Sequence, residues 1–178
     1  MQKKTQERIF TLVCLALLTA MQIVFARFLV IPITSSLRFS LSFIPVVIAA
    51  RCFGPLGSMV VYGLGDLIGA IAIPTTGAYM PGFTLTSVVS GLIFGLFLSK
   101  KASLPRITLS VLCSQIVCSL LMNSFWISFY YGSDFKALLL SRSVQCLVTG
   151  AVQIVFMALF LERIYKVVKL PMRKSYNS

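Results

Sequence analysis

Apolar residues fill this chain in long blocks, not at the two-residue or three-to-four-residue intervals of a soluble strand or helix. Leu, Ile, Val, Phe and Ala dominate from Ile9 to Phe25 and return after each break until the basic C-terminal stretch. Blocks approaching the roughly 20 residues that cross a hydrocarbon core predict transmembrane helices. The pattern places them at 8–32, 38–53, 55–73, 82–99, 106–130 and 139–166. The breaks carry turn chemistry. Ile31-Pro32-Ile33-Thr34-Ser35-Ser36 ends the first helix, because proline has no N–H to donate. Gly54-Pro55 divides the second from the third and leaves Arg51 at the turn. Pro74 to Gly82 forms an uncharged loop, Pro105 punctuates the fourth connection, and Gly132-Ser133-Asp134 opens the fifth. Only helices or a closed barrel satisfy the backbone inside a bilayer. The blocks are too long and too uniformly apolar for alternating barrel strands of about ten residues. The expected fold is therefore an all-α integral membrane protein: one domain over residues 1–178, a six-transmembrane-helix bundle.

Composition supports that reading. Hydrophobic residues make up 58% and charged residues 11%, against about 45–50% and about 25% in soluble domains. The net charge of +12 raises the question of nucleic acid, but its distribution answers it. Lys3, Lys4 and Arg8 precede the first block; Lys100, Lys101 and Arg106 share one connection; Arg163, Lys166, Lys169, Arg173 and Lys174 crowd the C-terminus. The opposite side holds only Arg27, Arg38, Lys136 and Arg142. Basic residues at alternate connections follow the positive-inside rule, so both termini are expected in the cytoplasm and the number of spans is even. The first block exceeds a signal-peptide core of about 7–15 residues and is expected to be retained.

Several function classes fall away. The chain has no histidine, and its five cysteines show no metal-ligand or redox spacing, so no metal or cofactor is expected. There is no phosphate-loop motif and no room for a nucleotide-binding domain. Asp66 is the only acid deep in an apolar block. It has no partner for acid–base chemistry, and an enzyme is not expected.

The polar residues inside the blocks carry the chemistry. An isolated carboxylate such as Asp66 near a helix centre costs on the order of 2.5–3.5 kcal/mol, so a cation, a cavity or a ligand must offset it. Arg27, Arg38 and Arg142 approach the same outer half. They form either an interior ion pair that orders the bundle or part of a polar pocket opening outward. Asn123, Gln145 and Gln153 are intramembrane amides, which serve as interhelical hydrogen bonds or as ligand contacts. Trp126, Phe129, Tyr130 and Tyr131 read as an interfacial aromatic belt, with one or two available to stack on a flat ligand. Small residues recur at helical spacing: Ala16 and Ala20; Gly65 and Gly69 around Asp66; Ser87, Gly91, Gly95 and Ser99. Such rows let helices approach closely, within the bundle or against a partner.

Four stretches are more specific: Arg38-Phe39-Ser40-Leu41-Ser42-Phe43-Ile44-Pro45, Phe53-Gly54-Pro55, Gly65-Asp66-Leu67-Ile68-Gly69-Ala70, and Pro74-Thr75-Thr76-Gly77-Ala78-Tyr79-Met80-Pro81-Gly82-Phe83-Thr84-Leu85-Thr86. Together they resemble the folate-specific S components of energy-coupling-factor (ECF) vitamin transporters. The resemblance implies a six-helix protein of the prokaryotic cell membrane that captures folate outside. It would deliver the vitamin inward with a membrane T component and two cytoplasmic ATPase subunits, which supply the energy this chain lacks. It also implies that Ala16 and Ala20 meet the T component. Folate carries a flat pterin, an aminobenzoate ring and an anionic tail. Arginine matches a carboxylate bidentately, making Arg27, Arg38 and Arg142 candidates for the tail. Asp66 or Asn123 are candidates for the pterin edge, and Tyr79, Phe83 and Trp126 for the ring faces. Thr84, in the strongest of the four motifs, joins the expected binding residues. The alternatives are an S component for another small molecule, such as a queuosine precursor, and a freestanding secondary transporter.

Overall fold

The structure is a computed structural model. It describes the backbone of residues 2–34, 37–73, 80–99, 103–132 and 134–177, and side chains over 5–29, 40–73, 80–99, 103–132 and 134–159 apart from 137 and 141. Helix α1 (Gln2–Arg27) leads into a two-stranded hairpin, β1 (Val30–Thr34) and β2 (Leu37–Ser40). The strands are antiparallel, with Val30 opposite Ser40, Ile31 opposite Phe39 and Pro32 opposite Arg38. This corrects the expected helices 8–32 and 38–53. Branched residues flanking Pro32 favour an extended strand, and a two-stranded ribbon tolerates proline because both strands are edges. Ser40 ties the hairpin back, its hydroxyl donating to the Phe25 carbonyl at 2.9 Å.

Helix α2 (Phe43–Ala72) contains a break at Gly54, whose φ of 73° and ψ of −164° are not helical. Glycine accepts positive φ without steric cost, and Pro55 brings no N–H to bridge the break. The two arms meet at a sharp corner. A Cβ built on Gly57 would lie 3.5 Å from the Ala49 carbonyl, although eight residues of straight helix extend about 12 Å. The expected division at Gly54-Pro55 is thus present as a break inside one helical element. Its first arm runs from the hairpin to the far end of the bundle, where Arg51 Nη1 donates to the Leu98 carbonyl at 3.2 Å.

Helix α3 (Pro81–Leu98) starts on a proline in its first turn, where the missing donor has no partner to lose. It packs against α2 so closely that a Cβ on Gly91 would sit 2.7 Å from the Ser58 carbonyl. The buried Ser58 hydroxyl lies 2.8 Å from the Gly91 carbonyl as its donor. Gly95 meets Pro55 in the same way. The Gly91–Gly95 part of the small-residue row therefore serves packing inside the bundle. Helix α4 (Leu104–Cys113), a π-helical stretch (Ser114–Met122) and α5 (Asn123–Tyr131) run on as a single span, closed by Gly132 in the left-handed region. Helix α6 (Phe135–Asn177) completes the chain.

Five helices among the described residues are long and apolar enough to cross a membrane: Thr5–Arg27, Phe43–Ala72, Pro81–Leu98, Leu104–Tyr131 and Leu138–Leu159. Phe43, Val46, Val47, Val61, Phe94, Leu98, Ile107, Val111 and Met157 form the core. Large apolar side chains such as Leu17, Leu56, Leu140 and Leu147 point outward. That surface suits lipid and would be a liability in water.

The tight α2–α3 contact leaves no room for a side chain. Gly95→Leu is expected to cost about 1–3 kcal/mol through overpacking, read as a lowered thermal midpoint of the detergent-purified protein. Leu96→Ala, at an exposed neighbour, should change it little.

Candidate functional site

Most of the polar residues inside the bundle converge on one cavity of about 650 Å³. From α1 comes Arg27, from the hairpin and its exit Ser40 and Ser42, and from α2 Tyr62, Asp66 and Ala70. Met80 and helix α3 supply Phe83, Thr86, Ser87, Ser90 and Phe94. The Leu104–Tyr131 span contributes Ser114, Gln115, Cys118, Ser119, Asn123, Ile127 and Tyr131, and α6 contributes Arg142, Gln145, Thr149 and Gln153.

Close helix approach positions the charged members. Gln22, only 1% exposed, lies directly over Gly65, and the Arg27 Nε is 3.0 Å from where a Gly69 Cβ would be. Missing side chains on α2 thus let the polar end of α1 reach across it to the cavity. Asp66 accepts a 3.0 Å hydrogen bond on Oδ2 from the Thr84 hydroxyl and is attracted electrostatically by Arg27. Both interactions offset the cost of a carboxylate inside the bundle.

The π-helical stretch keeps one row of the long span on the cavity. Lining positions 114, 118/119, 123, 127 and 131 recur about every four residues. In an α-helix such a row drifts by about 40° per step. The slower i→i+5 winding, shown by the Asn123 N–H donating to the Cys118 carbonyl, turns the row back. π-Helical insertions of this kind often accompany functional sites.

Of the residues predicted for the site, Arg27, Asp66, Phe83, Asn123 and Arg142 line the cavity together. Thr84 acts on it through Asp66. Trp126 stands behind the wall, its ring against Gly82 and stacked on Tyr130 at 6.1 Å. The Arg38 side chain and Tyr79 lie outside the described residues. Of the aromatic group, Tyr131 lines the cavity, whereas Phe129 is 70% exposed. Ala16 and Ala20 are exposed on α1. Sequence reasoning missed the hydroxyl lining, including Ser42, Thr86, Ser90 and Ser119. The signal was weak because Ser and Thr in a helix can bond their own backbone. Thr86 does so, donating to the Gly82 carbonyl at 3.0 Å.

Comparison with known proteins gives a consistent picture. Residues 10–161 match the family described as ECF transporter, substrate-specific component. The chain is 35% identical over 140 residues to the folate transporter FolT of Clostridium novyi (strain NT), covering 78% of this chain and 80% of that one. It is 32% identical over 149 residues to the folate transporter FolT of Leuconostoc mesenteroides subsp. mesenteroides, covering 80% and 79%. Among solved structures it resembles FolT bound with folic acid, with a TM-score of 0.73, 28% identity, and coverage of 81% of this chain and 87% of that one. The S-component for biotin from an ECF-type ABC transporter shares the fold at a TM-score of 0.62 and 19% identity, over 85% and 90% of the two chains.

The Thr84–Asp66 hydrogen bond yields a direct expectation. Thr84→Val should lower stability by about 1.5–3 kcal/mol, the range for a bond to a charged group, seen as a lower unfolding midpoint in detergent. Thr84→Ser should recover most of the loss.

Proposed function

The chain belongs to the substrate-specific components of ECF transporters, and from that premise we propose that it captures folate or a reduced folate for import. The single observation that carries the choice of ligand is the cavity: Arg27 and Arg142 share it with Asp66, Asn123 and aromatic faces. Its volume of about 650 Å³ lies within the roughly 300–1,000 Å³ of sites that enclose ligands of this size. The arginines hold the anionic tail through paired charge-assisted bonds. Phe83 and Tyr131 flank the rings. Asp66 and Asn123 lie in the same wall, where they meet N–H groups along the length of the ligand. The folate transporters among the relatives support the same substrate.

As a binding subunit the chain hydrolyses no nucleotide itself; a T component and two ATPase subunits drive delivery. Ala16 and Ala20, exposed and small, form the face of α1 that meets the T component. Six membrane crossings with both termini in the cytoplasm fit the basic distribution. The first arm of α2 supports this topology, since it runs from the Arg27 end of the bundle to the Leu98 end. The protein resides in the cell membrane.

Folate titration of the purified chain tests the reading. Tight binding is expected, and Arg27→Ala and Arg142→Ala should each weaken it about tenfold or more, since a lost charge-assisted bond is worth about 1.5–3 kcal/mol. Arg38→Ala belongs in the same series. Wild-type affinity in all three would refute the anion clamp. Docking is separable from capture: Ala16→Trp with Ala20→Trp should leave folate binding intact but abolish uptake in cells that supply the T component and ATPases. Unchanged uptake would remove this face from the docking surface.

A further inference from the structure

Two polar ladders run side by side along the cavity wall. One runs up the π-helical stretch and α5 as Gln115, Ser119 and Asn123; the other runs down α6 as Gln153, Thr149 and Gln145. Each has a rung every four residues, and all six residues line the cavity. The register between them is set at two places. Gln115 Nε2 donates to Gln153 Oε1 at 3.1 Å, and the Cys146 thiol lies 3.3 Å from the Ser119 hydroxyl as its donor. Thr149 Oγ1, between the amide rungs on α6, is buried without a hydrogen-bond partner.

Interhelical bonding does not exhaust these groups. A primary amide offers two N–H donors and two acceptor lone pairs, so the Gln115–Gln153 bond leaves a free acceptor on one residue and a free donor on the other. Turning both amides over preserves their mutual bond and exchanges the free donor with the free acceptor. The dyad therefore presents a complementary donor–acceptor pair in either orientation. Its depth matters as well. Gln153 lies eleven residues beyond Arg142 on α6, about 16 Å along the helix axis. A long ligand with its anionic end at the arginine would bring its other, uncharged end to the amide pair.

We propose that the Gln115–Gln153 dyad is a reversible reader of the pteridine edge, accepting rings with either a 4-oxo or a 4-amino group. This assignment rests on the folate reading of the cavity. A 4-oxo pterin presents an N–H donor beside a carbonyl acceptor, and the dyad answers with Gln115 Oε1 and Gln153 Nε2. A 4-amino pteridine presents the reverse pattern, and the overturned dyad answers with Gln115 Nε2 and Gln153 Oε1. No bond is made or broken covalently; only two amides rotate.

The test compares the dissociation constants of folic acid and its 4-amino analogue for the full chain in detergent. The wild-type chain is expected to hold both within about threefold. Gln153→Glu keeps the shape but fixes an acceptor at this position, so it should shift the ratio about tenfold or more toward the 4-amino ligand. Gln153→Leu should weaken both ligands together. Arg142→Ala should also weaken both and leave the ratio unchanged. A wild-type preference of tenfold or more between the ligands overturns the assignment. So does a Gln153→Glu ratio equal to wild type. If the wild-type chain holds neither ligand, the folate reading falls with it; if it holds folate but the ratio behaves otherwise, only the dyad assignment is lost.

Discussion

The hydrocarbon core of a bilayer offers a polar group no partner, so polar side chains there must turn to one another, to the backbone or to a cavity. That constraint organises this structure from the Gly54 corner to the α6 amides. Asp66 is held by the Thr84 hydroxyl and the attraction of Arg27; Gln153 by Gln115; Ser58 by the backbone around Gly91. Each interaction joins two helices across positions that would be costly to leave unpaired. The polar lining is therefore also part of what orders the bundle.

Such satisfaction requires close approach, and the chain achieves it by omitting side chains. Gly65 and Gly69 let Gln22 and Arg27 lie across α2, while Gly91 and Gly95 bring α3 onto the backbone of α2 near Pro55 and Ser58. The π-helical stretch solves a related problem by winding. It keeps a row of polar residues on the cavity where an α-helix would carry them around toward lipid. These devices leave a polar-lined cavity inside and an outer surface of Leu, Val and Phe. The chain thus presents apolar surface outward while polar side chains, interspersed with Phe83, Phe94 and Ile127, line its cavity.

Much of this is legible in the sequence. Polar residues within the apolar blocks were expected to pair inside the bundle or to form a pocket, and Arg27, Asp66, Asn123 and Arg142 do line one cavity. Gly54-Pro55 marked a break because one residue tolerates positive φ and the next lacks a donor. The hairpin was less visible. Val30 to Thr34 is apolar enough to prolong a helix on hydropathy alone, and only pairing with Leu37 to Ser40 reveals a strand. The hydroxyl lining was equally concealed, because a serine in a helix looks the same whether it faces a cavity or bonds its own turn.

What the sequence by itself determined was the solvent, the helical solution and the family: long uncharged blocks admit no other backbone, and the Gly-Asp-Leu-Ile-Gly and Gly-Ala-Tyr-Met-Pro-Gly-Phe-Thr-Leu-Thr stretches are too particular to arise from hydropathy. Only the tertiary structure decided which polar residues meet. Trp126 stands behind the wall and Thr84 behind Asp66, whereas Gln115, unremarkable in the chain, bonds Gln153 across it. The physical reason is rotational. Hydropathy and motifs locate a residue along a helix, but a site is assembled by which way each helix faces. Facing is set by glycine contacts and π winding that couple residues far apart in the chain.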